Sequence, residues 1–215
     1  MSVWAVVVAA GSGSRFGAQK QFASIGGRPM VAWSVVSARS VADGVVVVLP
    51  AADPGLHGDG DRLHGADVGV PGGATRAASV RSGLDAVPAD ADVVVVHDGA
   101  RPLASPALFR AVVDAVLAGA DAVVPGLAVT DTLKRVVDGD VVDTVARDGL
   151  VGVQTPQAFR AEVLRRAHDG EPDATDDAAL VEAVGATVRV VPGDPRNLKV
   201  TTPADLEIAQ ALAAW

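Results

Sequence analysis

Only three of the 18 basic residues in this 215-residue chain are lysines, namely Lys20, Lys134 and Lys199, so each is a candidate for a specific task. Lys20 follows the glycine-rich run Gly11-Ser12-Gly13-Ser14-Arg15-Phe16-Gly17. Glycines in such a turn let the backbone approach a ligand closely, and its free N–H groups bind phosphate oxygens. With Arg15 inside the turn and Lys20 just after it, the segment reads as a phosphate cradle with two cations at hand. It is neither a P-loop, which ends in Gly-Lys-Ser/Thr, nor a Gly-x-Gly-x-x-Gly fingerprint. The plain alternative is a tight connection flanked by solvated charges.

A second cluster is His97-Asp98-Gly99-Ala100-Arg101-Pro102, which ends the apolar run at residues 93–96. In an open α/β sheet, ligands bind at the carboxyl ends of the strands. A carboxylate placed there, Asp98, suits a magnesium ion held largely by substrate phosphates, a cation that commonly takes one or two carboxylates plus substrate oxygens. Otherwise it pairs with Arg101 and shapes the loop. His97 is expected to support that loop, and His57, His64 and His168 show no metal-ligand spacing.

The elements that must position these residues follow from the apolar pattern. Residues 4–10, 45–49, 93–96 and 122–125 are short continuous apolar runs, the signature of strands buried on both faces. Residues 30–38, 74–87 and 106–118 have helical character, while 51–73 reads mostly as loop with a short strand near Val68. From 127 to 153 the pattern changes to short alternating segments around the turn signal Asp138-Gly139-Asp140, which predicts a β-arm inserted into the domain. Residues 158–168 and 177–184 read as helices and 187–191 as a strand. A last helix has Thr202 at its N-cap and Pro203 at its first position. Alternating strands and helices make the expected fold a single α/β domain over residues 1–215, Rossmann-like and doubly wound with a mostly parallel sheet.

Composition narrows the function. Hydrophobic residues make up 49% and mean hydropathy is +0.33, which excludes a disordered chain. No apolar run reaches the ~20 residues that span a bilayer. The opening residues lack a basic leader and read as a first strand, so a cytoplasmic protein is expected. There is no cysteine for a disulfide, a thiolate metal site or a thiol nucleophile, and the net charge of −8 opposes nucleic acid and anionic membranes.

The chain also resembles a known family. Ala9 to Gly17, then Lys20-Gln21-Phe22 and Gly26-Gly27-Arg28-Pro29-Met30, look like the opening of the nucleotidyltransferase fold. The Lys-Gln-aromatic step is similar to the 2-C-methyl-D-erythritol 4-phosphate cytidylyltransferases of the non-mevalonate isoprenoid pathway. Further blocks match in order: Gly72-Gly73-x-x-Arg76-x-x-Ser79-Val80, His97 to Pro102, and Thr130-Asp131-Thr132-Leu133-Lys134. After these come Arg147, Gln154-Thr155-Pro156-Gln157-Ala158-Phe159, Thr175-Asp176-Asp177 and Asn197-Leu198-Lys199-Val200. The resemblance covers nearly the whole chain.

It implies a cytidylyltransferase that uses CTP and a sugar-alcohol phosphate, with magnesium and a homodimer built through the β-arm. By resemblance Arg15 and Lys20 stabilise the transition state, and Arg147 and Lys199 grip the acceptor phosphate, with Arg147 reaching the neighbour's site. Ala9, Ala10, Gly11, Ser12, Gly13, Gly72, Gly73, Ser79, Asp98 and Ala100 would surround the nucleotide, and Asp98 would face the metal. Arg101, Thr132, Thr155, Thr175 and Asp194 resemble the remaining acceptor-binding positions. Taken singly, these are ordinary strand, cap or turn residues. The chain departs from the family pattern in three places: Ala74 where relatives often carry aspartate, Gly99 for the usual alanine, and Ala18-Gln19 where a proline is frequent. A ribitol 5-phosphate cytidylyltransferase, or a nucleotide-binding domain without chemistry, are the competing readings.

Overall fold

The computed structural model describes residues 1–11, 16, 19–52 and 64–213. Its centre is an eight-stranded sheet. Four strands run parallel in the order β5 (Val68–Pro71), β4 (Gly44–Leu49), β1 (Val3–Val8) and β6 (Val93–Asp98). Next to β6 lies β11 (Gln157–Arg160), antiparallel both to it and to β7 (Ala122–Ala128). β7 also pairs with β10 (Val151–Val153) antiparallel and with β12 (Val188–Pro192) parallel. The fold is α/β with a mostly parallel sheet, as the apolar pattern predicts.

The valine runs are continuous because both faces of the sheet are covered. Ala5, Val7, Val45, Val47, Val93 and Val95 point to one side, against Val31 and Val35 of α1 (Met30–Arg39) and Phe109 and Val112 of α3 (Pro106–Leu117). Val6, Val46, Val48, Val94 and Val96 point to the other side. There they meet Val80 and Leu84 of α2 (Arg76–Asp85), Leu164 of α4 (Ala161–His168) and Leu180 of α5 (Asp177–Ala183). Period-two burial of this kind in a two-sided core leaves no polar position to interrupt the run.

One local expectation needs correction, and one element was not foreseen. Residues 158–160 are strand, and α4 begins only at Ala161. Ala158 and Phe159 pair with Val95 and Val94 and enter opposite cores, a sheet contact that outweighs their neutral local preference. A small hairpin that the apolar pattern does not announce joins β2 (Ser24–Ile25) and β3 (Arg28–Pro29). Its turn places Gly26 and Gly27 at φ +56° and +80°, the mirror-image geometry that a two-residue hairpin needs. In the 127–153 segment, β8 (Leu133–Val137) and β9 (Asp140–Val145) form a separate hairpin turning at Asp138 and Gly139. The two ends of the segment, in β7 and β10, belong to the main sheet.

α6 (Pro203–Ala213) starts as expected: Thr202 Oγ1 accepts the Asp205 N–H at 3.3 Å. In return Asp205 Oδ2 accepts from the hydroxyl of Thr201 at 2.6 Å and from the N–H groups of Thr201 and Thr202, both at 2.8 Å. The Thr201 hydroxyl and these amides hold the Asp205 carboxyl down at about 2. A depressed carboxylate stabilises the fold above its unfolded pKa of ~3.9 and stops doing so as pH falls through the folded value. Asp205→Ala should therefore lose about 1 kcal/mol at pH 7 in urea denaturation, with the gap to the parent closing between pH 4 and pH 2. A gap of constant size across that range would rule out the ionised cap.

Candidate active site

A cleft of about 510 Å³ opens at the carboxyl ends of β1 and β6. A hollow of about 480 Å³ at the other end of the sheet, lined by Met1, Asp90, Asp92, Arg160, Glu162 and Arg165, contains none of the lysines. Strand direction favours the first. Ala9, Ala10 and Gly11 form one wall, and Gly73 and Ser79 face them. Lys20, Asp98, Ala100 and Lys199, also singled out in the sequence, line the cleft too. Ser12, Gly13 and Arg15 lie outside the described residues.

The two glycine-bearing loops touch. A Cβ on Gly72 would lie 2.1 Å from the Ala10 Cβ, so only glycine lets the loop after β5 approach the loop after β1. Ser79 secures that turn, donating to Thr75 O at 2.9 Å and accepting the Gly73 N–H at 3.2 Å. Thr75 caps α2 by accepting the Ala78 N–H.

The charges form one chain. Asp98 accepts from Lys199 Nζ at 2.7 Å on one oxygen and from Arg76 Nε at 3.3 Å on the other. Arg76 Nη1 continues to Asp177 Oδ2 at 2.7 Å, and Asp177 Oδ1 lies 3.0 Å from His168 Nε2. Burial alone would raise the Asp98 pKa, but the cations Arg76 and Lys199 reverse this and hold its carboxyl far below the usual range. Arg76 behaves as its counterpart: burial opposes its charge, and Asp177 and Asp98 more than restore it. Asp98 does not pair with Arg101. Arg101 instead donates to Asn197 O at 2.7 Å, and burial lowers its pKa.

A neutral relay sets the loop after β6. His97 is fully buried, and burial pushes its pKa down to about 4. Its Nε2 faces the Arg101 carbonyl at 3.1 Å and so carries the proton. Nδ1 then accepts from the Thr155 hydroxyl at 3.2 Å, while that same oxygen accepts the Asp98 N–H at 3.0 Å. His97 thus supports the loop, as its sequence position implied.

The segment before α6 is fastened as well. Gln154 Nε2 donates to Asp194 O at 3.0 Å, and Asn197 Nδ2 donates to Thr155 O at 2.8 Å. Val200 N–H donates to Ala100 O at 2.8 Å, and Lys20 Nζ donates to Val200 O at 2.7 Å. These contacts put Lys20 and Lys199 in one cleft although 180 residues separate Lys20 from Val200.

Seven of the residues singled out in the sequence do not line this cleft, Gly72 among them because it packs against Ala10 behind the wall. Arg101 and Thr155 turn into the relay, and Asp194 lies on the Gln154 contact. Thr175 and Thr132 are exposed. Arg147 is exposed beyond β9, donating to Thr130 O. Arg76, Gln154, Asp177 and Asn197 stand in the matched motifs, but sequence reasoning gives them no role. The available signal was an acid in the first turn of α5 and a basic residue in that of α2, each on a face that has to be buried. Among the described residues no three His, Asp or Glu side chains gather as a metal cluster.

The whole chain can be compared with known proteins. The family model for 2-C-methyl-D-erythritol 4-phosphate cytidylyltransferase (IspD) matches residues 3–214. A protein of that name from Frankia casuarinae is 49% identical over 99% of this chain and 81% of its own length. One from Saccharopolyspora erythraea is 46% identical over 100% of both. A bifunctional IspD/IspF enzyme from Solidesulfovibrio magneticus is 46% identical over 99% of this chain, which spans 58% of that longer protein. The crystal structure of the Thermus thermophilus enzyme superimposes with a TM-score of 0.83 at 36% identity, covering 98% of each chain. On sequence and fold together, the chain belongs to the 2-C-methyl-D-erythritol 4-phosphate cytidylyltransferase family.

Proposed function

We propose that the protein converts CTP and 2-C-methyl-D-erythritol 4-phosphate into 4-diphosphocytidyl-2-C-methyl-D-erythritol and pyrophosphate, a step of isoprenoid precursor synthesis. The observation that carries this reading is the convergence of Lys20, Lys199, Arg76 and an ionised Asp98 on one strand-end cleft. An oxygen of the acceptor phosphate attacks the α-phosphorus of CTP, the bond to the bridging oxygen breaks, and pyrophosphate leaves with the electron pair. Both reactants are anions, so the barrier falls through positioning and charge neutralisation; no protein nucleophile or base is needed.

Lys20, together with Arg15, meets the charge that develops on the α-phosphate and the leaving pyrophosphate. The Ala9-Ala10-Gly11-Ser12-Gly13 backbone and Ala100 follow the nucleotide, while Gly72, Gly73 and Ser79 border the cytosine. Lys199 turns toward the acceptor phosphate. Arg147 of a second subunit is its partner, brought by the β8–β9 hairpin, whose Val136, Val137, Val141 and Val142 are half exposed or more. Thr132 and Thr175 contact the acceptor, and Arg101, Thr155 and Asp194 act mainly by holding the loops that frame it.

Asp98 fits a magnesium site of the kind completed by substrate. It is a single ionised carboxylate at the cleft, and triphosphate oxygens and water would supply the remaining ligands. When bound, magnesium neutralises triphosphate charge. No helix among the described residues is long and apolar enough to cross a membrane, in keeping with a cytoplasmic enzyme.

The acceptor is tested by pyrophosphate release from CTP with a panel of sugar-alcohol phosphates. Turnover should be highest with 2-C-methyl-D-erythritol 4-phosphate. Faster turnover with ribitol 5-phosphate would replace the acceptor, and CTP binding without release from any acceptor would replace the enzyme by a binding domain. Family membership favours the first outcome over both.

A further inference from the structure

We propose that Arg76 is a positioning residue for this transfer: it locks the Asp98 carboxylate toward the cleft, and buried Asp177 with His168 behind it locks Arg76. The inference rests on the cytidylyltransferase reading and extends it from Arg76 at the cleft wall to the buried pair behind it.

The geometry carries it. Arg76 sits in the first turn of α2, and its side chain bridges two carboxylates on different elements, Asp98 at the end of β6 and Asp177 in the first turn of α5. Nε takes one and Nη1 the other, so the planar fork fixes the guanidinium at two points. Asp177 is 1% exposed and has only Arg76 and His168 as side-chain partners among the described residues. A carboxyl group buried in such a place needs its hydrogen-bond partners, so Arg76 cannot swing away without leaving an oxygen of Asp177 unsatisfied. His168 closes the far end, 4% exposed at its side chain. The result is a rigid bracket running from α4 and α5 to the cleft.

Its consequence falls on Asp98. With Arg76 fastened on Oδ1, the remaining oxygen is directed at Lys199, the candidate for the acceptor phosphate. The bracket thus sets both where the carboxylate presents its charge and where Lys199 begins. The substitution Arg76→Lys retains the positive charge but removes the fork, so the new side chain can serve only one of the two carboxylates. A misplacement of about 1 Å at a reacting centre can cost ~10²-fold in rate.

A double-mutant cycle tests this. Arg76→Lys should lower kcat for cytidylyl transfer about tenfold to a hundredfold while the KM for CTP moves less than about threefold and the melting temperature only a few degrees. Asp177→Asn, which loosens the bracket from behind, should lower kcat in the same direction. In an Asp98→Asn background each change should cost less than about twofold, because the group they position is gone. Equal losses with and without Asp98 would overturn the proposal, since Arg76 would then touch the substrate directly or serve the fold. So would unchanged kcat in a folded variant, or failure of both variants to fold, which would assign the bracket to the core. An inactive parent protein would instead refute the cytidylyltransferase reading.

Discussion

Lys20→Ala should lower turnover by about 10²- to 10³-fold, the loss seen when one preorganised donor to transition-state charge is removed. Lys20 opens a short 3-10 turn, Lys20–Phe22, that follows the glycine-rich loop, and its ammonium is held on Val200 O within the cleft. That contact keeps a compact charge in the cleft where, on the proposed reaction, pyrophosphate would leave. Since charge accumulates as the reaction proceeds, the defect should appear in kcat more than in the KM for CTP. The fold should tolerate the change, because the side chain is only partly buried and water can reach the abandoned carbonyl. Steady-state pyrophosphate release, with circular dichroism as the folding control, measures both. A Lys20→Ala variant that turns over as fast as its parent would remove Lys20 from the mechanism and weaken the reading of the whole cleft.

The sequence made some of this arrangement readable and hid the rest for physical reasons. Strands buried on both faces announce themselves, because Val45 to Val48 or Val93 to Val96 have no solvent side to interrupt them. Caps are local, so Thr202 with Pro203 could be read from adjacent residues. Strand β11 could not, since Ala158 and Phe159 become strand through β6 and β7, which lie far away in the chain. The same holds for the charges. Lys20 and Asp98 stood out by scarcity and by their place at a turn or strand end. The ion pair weighed for Asp98 as the alternative to a metal was with Arg101, three residues on; its cationic partners are instead Arg76 and Lys199, 22 and 101 residues away. Proximity in sequence is a poor guide to pairing once a sheet folds distant loops onto one edge. Arg101 faces the Asn197 carbonyl because the relay through His97 and Thr155 turns the loop inward.

Mixing Arg147→Ala protein with Lys20→Ala protein should restore activity that neither has alone. Arg147 does not line the cleft of its own chain, and it sits just beyond a hairpin with four outward-facing valines. A hairpin that packs little apolar surface on its own domain gains by covering it with a second copy. If it does, a mixed dimer contains one site with Lys20 from one subunit and Arg147 from the other, both intact, and one site with neither. Random exchange at equal concentrations makes half of the dimers mixed, so about a quarter of all sites should work. Arg147→Ala alone should lose about tenfold to a hundredfold, chiefly in the KM for the acceptor, as expected for one charged contact to a phosphate. If each chain instead used its own Arg147, the mixture would contain no complete site and its activity would stay at the mean of the two variants. Subunits tagged to prove exchange, yet giving only that mean, would exclude a shared site and leave the hairpin without a catalytic part.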